Sequence, residues 1–169
     1  MKINLNSKKD TVYTPAPAGI HQAVLVDIQD VGVKEVIYDG KVKLQPTCRF
    51  VFQIEELNTE REPAERFTVS ASFHASLNEK SRMYQFLKAW SALPTKEEVA
   101  AKTAANEPWE TDSLIGRNAT LSVEHVDGIG KNEGKIYANI ASILPISPKT
   151  PKLRPLNFVR LQDRPAKAA

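Results

Sequence analysis

The chain of 169 residues predicts a mainly β domain with inserted helices, and three patterns carry that prediction. Five segments alternate apolar and polar residues, the period of two that half-buried strands show. Between the third and fourth of them the period switches to an amphipathic helical stripe. Breaker clusters occupy both flanks in place of further periodic segments.

Residues 1–18 read as a flexible N-terminal arm that ends in the breaker cluster Thr14-Pro15-Ala16-Pro17-Ala18-Gly19. Ile20 to Val31 alternates as a first strand, with Val24, Val26 and Ile28 on one face and Asp27 and Gln29 on the other. Gly32 to Pro46 reads as a polar, Lys-bearing connection with a turn signal at Tyr38-Asp39-Gly40-Lys41. The second strand, Thr47 to Glu55, aims Cys48, Phe50, Phe52 and Ile54 inward. The third, Arg66 to Phe73, does the same with Phe67, Val69, Ala71 and Phe73.

Met83, Phe86, Leu87 and Trp90 then form the core stripe of a helix that Pro94 closes. Ser76 with Glu79 has capping-box spacing, and Asn78 is an alternative cap. Thr95 caps a second short helix over residues 95–105. Asn118 to Val126 and Lys135 to Leu144 are the fourth and fifth strands, joined by a Gly-rich hairpin loop. Residues 148–169 are Pro-rich and show no period, so their removal is expected to leave residues 19–147 folded. Three strands, a helical insertion and a two-stranded hairpin is the order of a five-stranded Greek-key barrel of the OB-fold type. Such barrels bind oligonucleotides on the strand 2–3 face and the 1–2 and 4–5 loops.

Composition narrows the function. A single cysteine, Cys48, excludes an intramolecular disulfide and a multi-cysteine metal site, and reads as a small core hydrophobe. No apolar run approaches the roughly 20 residues of a membrane span, and the first residues lack a signal peptide's apolar stretch. These features fit a soluble protein of a reducing cytoplasm. The net charge of +3 is unevenly placed: residues 148–169 carry net +5 and the rest net −2. A basic tail suits an acidic partner such as nucleic acid.

Enzyme signatures fail. Gly128 and Gly134 are separated by five residues and Lys135 is followed by Ile136, so the loop lacks P-loop spacing. Glu133 stands where a dinucleotide fingerprint needs its third Gly. His21, His74 and His125 are scattered, without metal-ligand spacing. The acidic run 55–65 has no apolar setting for acid catalysis. The expectation is therefore a non-enzymatic protein without cofactor or metal.

What remains is basic and aromatic. Lys34, Tyr38, Lys41 and Lys43 lie in the 1–2 connection, Arg49 and Arg66 point outward on strands 2 and 3, and Lys131, Lys135 and Tyr137 lie at the 4–5 hairpin. Cations that follow phosphates and aromatic faces that stack on bases are what single-strand binding uses.

The segment Val69-Ser70-Ala71-Ser72-Phe73-His74-Ala75-Ser76-Leu77-Asn78-Glu79-Lys80-Ser81-Arg82 runs on to Phe86-Leu87-Lys88-Ala89-Trp90. With Asp112-Ser113-Leu114-Ile115-Gly116, Lys135-Ile136-Tyr137-Ala138-Asn139-Ile140 and Ala23 to Gly32, it resembles phage-encoded OB-fold proteins described as single-stranded DNA-binding. The likeness spans about residues 19–146. It implies a role in coating single strands during phage DNA replication or recombination, inside the infected bacterium. The chain departs from bacterial single-strand binding proteins in ending basic, not acidic. The alternative is an OB-like protein-interaction module of a phage replication or recombination complex with weak or no DNA binding.

Overall fold

A computed structural model describes residues 14–61 and 63–165. Most of the expected N-terminal arm (1–13), Glu62, residues 166–169 and the Tyr38 side chain lie outside the described residues. The elements are β1 (Gly19–Tyr38), β2 (Lys41–Asn58), β3 (Glu65–His74), α1 (Arg82–Ala89), α2 (Lys96–Ala104), β4 (Asn118–Asp127) and β5 (Ile136–Leu144). All four ladders are antiparallel, in the order β3-β2-β1-β4-β5. No helix among the described residues is long and apolar enough to cross a membrane.

The sheet does not close into the barrel that the element order predicts. β3 and β5 are its edges and approach each other without a ladder. A cleft lined by Val69 and Ser70 of β3 and Ala138 of β5 separates them.

One face of the sheet carries the main core. Ala23 and Leu25 of β1, Phe50, Phe52 and Ile54 of β2, Val69 and Phe73 of β3, and Leu121 and Val123 of β4 are buried there against Met83 and Leu87 of α1 and its C-cap Trp90. The helical stripe thus packs as its spacing predicts, with Phe86 half-buried and edge-on to Phe50 and Phe52. The cap is Ser81, not Ser76 or Asn78: its Oγ accepts from the Tyr84 N–H at 3.1 Å. α1 ends well before Pro94, at Trp90, because Ser91 takes a left-handed φ of 58°. Thr95 caps α2 as expected.

The 1–2 connection is a correction. Residues 33–46 form an antiparallel ribbon in which Val33 pairs with Pro46 and Tyr38 with Lys41. Asp39 and Gly40 turn the chain at φ 51° and 71°. Asp-Gly is the dipeptide that tolerates two consecutive positive-φ positions, which is why a tight hairpin forms and the strands run on. Because β4 pairs only with residues 19–24 of β1, the ribbon extends beyond the sheet, by about 20 Å at ~3.3 Å per residue.

A second correction concerns β1. Its register shifts between Leu25 and Asp27, so Val26 is an extra residue that re-aims the strand. Val24 and Val26 therefore face away from the main core, while Ile28 returns to it. Over residues 23–27, β1 is buried on both faces.

The C-terminal segment supplies the second cover. Leu153 and Phe158 pack on Val24, Val26 and Val51, so residues 148–165 are a docked strap and not a separable tail. A fully buried valine contributes roughly 1.5 kcal/mol or more. Leu156 and Val159 keep their side chains exposed. The last residues before β1 are also fastened. Ala16 is buried in the main core, and the carbonyls of Ala16 and Pro17 accept from His125 Nε2 and His21 Nε2, each at 2.7 Å.

Candidate nucleic-acid interface

Residues paired across an antiparallel ribbon share a face. Lys34–Gln45, Val36–Lys43 and Lys41 therefore lie on one face, and Val33–Pro46, Glu35–Leu44 and Ile37–Val42 on the other. Lys34, Lys41 and Lys43 are all exposed, so three cations stand on one side of the ribbon. Period-two alternation along β2 carries that side on through Gln45 and Thr47 to Arg49, on the face opposite Phe50 and Phe52. The opposite side of the ribbon is exposed and, apart from Glu35, apolar: Val33, Ile37, Val42 and Leu44 are each more than 60% accessible.

Arg49 is half-buried and donates from Nε to Ser72 Oγ at 3.3 Å. Arg66 is engaged by the strap, donating to the Arg154 carbonyl at 2.6 Å. Lys131 and Lys135 are exposed in the β4–β5 connection, where Tyr137 is half-buried opposite Val126. That connection is tight. A Cβ on Gly128 would stand 2.1 Å from the Asn132 carbonyl oxygen, so only Gly fits there. The register sets this tip beyond Gly19, at the opposite end of β1 from the Lys41 turn. The three predicted sets therefore lie along the length of β1 and are not one cluster.

Between the two ends, the strap is held by three buried polar side chains. Asn118 brackets Leu153, accepting its N–H at 2.7 Å and donating to its carbonyl at 2.9 Å. Gln53 treats Leu156 the same way, at 2.8 and 2.9 Å. Asp27, only 1% exposed, accepts from the Leu161 N–H at 2.8 Å and from Arg160 Nε at 2.9 Å. Burial pushes the Asp27 carboxyl up, but the Leu161 N–H, the Arg160 and Gln29 side chains and the Arg160 charge outweigh it, leaving it below the ordinary 3.8. Arg160 also bridges to Asp112 at 3.2 Å. None of these holders stood out in the sequence, because a side-chain amide that grips backbone leaves no periodic signal.

His21 is less scattered than its spacing suggests. Its Nδ1 faces Glu55 at 3.0 Å and Glu56 at 4.0 Å. With Nε2 on the Pro17 carbonyl, both ring nitrogens are engaged in fastening the segment before β1. Cys48 is half-buried, its Sγ 4.0 Å from Met83 Sδ, and burial raises the thiol's pKa. Compared with known proteins, the chain matches no protein-family model and no curated sequence.

Proposed function

We propose that this chain is a non-enzymatic, OB-type protein that binds single-stranded DNA without sequence preference, as an accessory of phage DNA replication or recombination. The observation that carries the reading is the placement of Lys34, Lys41 and Lys43 on one face of a projecting ribbon, in line with Arg49. Regularly spaced cations beside an exposed strand match a phosphate backbone, and flexible lysines do so without selecting bases. The strand order, with β3 and β5 approaching at the edges and helices between β3 and β4, supports the OB-type fold. Lys131, Lys135 and Tyr137 at the far end would extend the track.

The second reading, a protein-interaction module, is favoured by the apolar side of the same ribbon, a contiguous exposed patch of the kind partners cover. Replacing Lys34, Lys41 and Lys43 together by alanine separates the two. The triple variant should stay folded, since all three side chains are exposed. Its affinity for oligo-dT should fall about tenfold or more at low salt, and the salt slope should flatten by about 2 for three lost phosphate contacts. Unchanged affinity and slope would move the function to the apolar side.

A further inference from the structure

Two clefts flank the strap, and their charges differ. The larger, about 530 Å³, holds Asp27, Asp30 and Asp112 beside Arg160, so its guanidinium is already neutralised. The smaller, about 250 Å³, lies at the β3–β5 seam and is lined by Arg49, Arg164, Thr68 and Ser70 with no carboxylate. Arg49 uses Nε on Ser72 Oγ, and Arg164 uses Nε on the Val159 carbonyl. Arg164 is further fixed by lying 5.4 Å over the Phe158 ring. Among the described residues, no hydrogen bond occupies the terminal nitrogens of either guanidinium. Two arginines anchored through Nε, with their outer forks available and two hydroxyls beside them, form a receptor for a tetrahedral dianion or a phosphodiester.

We propose that this seam cleft is a phosphate subsite, built on one side by β2 and β3 and on the other by the C-terminal strap, and that it seats a backbone phosphate of the bound strand. The last clause rests on the single-strand reading; the affinity for phosphate does not. The strap is then a structural part of the binding surface. Its docking through Asp27, Gln53 and Asn118 is what brings Arg164 to Arg49.

Inorganic phosphate and oligo-dT, used as separate probes, test the two parts. Phosphate should raise the melting temperature of the parent more than chloride does at equal ionic strength. Because phosphate also stabilises proteins by exclusion from their surface, the decisive quantity is the difference between parent and variant. Arg49→Gln, Arg164→Gln and Ser70→Asp should each lose the excess shift, and Ser70→Asp keeps both arginines in place while adding a repelling charge. Each should also weaken oligo-dT binding, by about threefold or more at low salt. An excess shift that is equal in parent and variants overturns the subsite. If the phosphate shift is lost in the variants while the parent ignores oligo-dT, the subsite stands as a site for a smaller phosphate and the single-strand reading fails. If oligo-dT binds the parent and all three variants equally, the strand does not use the cleft.

Discussion

Asp27→Ala should lower stability by about 3 kcal/mol at neutral pH, a large effect for one side chain. The carboxylate is 1% exposed and closes the strap onto β1 through Leu161 and Arg160. Removing it leaves the Leu161 N–H unpaired and Arg160 with Asp112 alone. The estimate sits at the low end for a broken buried pair, because Arg160 is 20% exposed and can regain water. The effect has a pH signature. The folded carboxyl titrates below 3.8, so in acid the unfolded chain binds the proton first. The contribution is therefore complete above the unfolded value. It is lost as pH falls through 3.8 towards the lower folded value. Urea titrations of parent and variant should show a gap that is constant near neutrality and shrinks below about pH 4. A gap that is absent at neutral pH, or that widens in acid, would mean that Asp27 does not hold the strap.

Trp90→Ala should cost more, about 3–5 kcal/mol. Trp90 is fully buried, packs edge-on against Phe52 at 5.4 Å and lies under the Arg117 guanidinium. Its Nε1–H donates to the Asn118 carbonyl at 2.8 Å. Truncation leaves a large cavity and strands that carbonyl inside the protein. Trp90→Phe should cost distinctly less, because it keeps much of the packing. Both changes act at Asn118, whose side chain brackets Leu153, so the helix side of the core is coupled to the strap on the other face. Denaturant midpoints of the two variants measure this. Equal costs for Phe and Ala would assign the whole effect to the hydrogen bond.

Strands 3 to 5 and the helix stripe were legible because the apolar residues of each face the one main core. β2 stayed legible because Phe50, Phe52 and Ile54 keep strict alternation with Arg49, Val51 and Gln53, even though the strap covers Val51 and Gln53 on the other face. β1 was misread where that condition fails. Ala23 to Val26 is an apolar run without alternation, the mark of a strand covered on both sides, and the bulge at Val26 then shifts the phase. The ribbon was half legible. Asp39-Gly40 announced the turn, and the pairs Lys41–Tyr38 and Lys43–Val36 follow once the strands are run inward from it. The strap was not legible, since it is held by Asn118, Gln53 and Asp27 gripping its main chain, and a backbone contact selects no particular strap residue. For the same reason Arg66 was placed in the interface, although its guanidinium is engaged by the Arg154 carbonyl.

The central claim is that a single strand of nucleic acid lies along the basic side of this molecule. The most direct measurement is a fluorescence titration of labelled oligo-dT, and of a duplex of matched length, over a series of salt concentrations. The account predicts tighter binding to the single strand, with log K falling linearly as log salt rises, because each neutralised phosphate releases counterions. Equal affinity for the duplex, or no binding to oligo-dT at low salt, would contradict it.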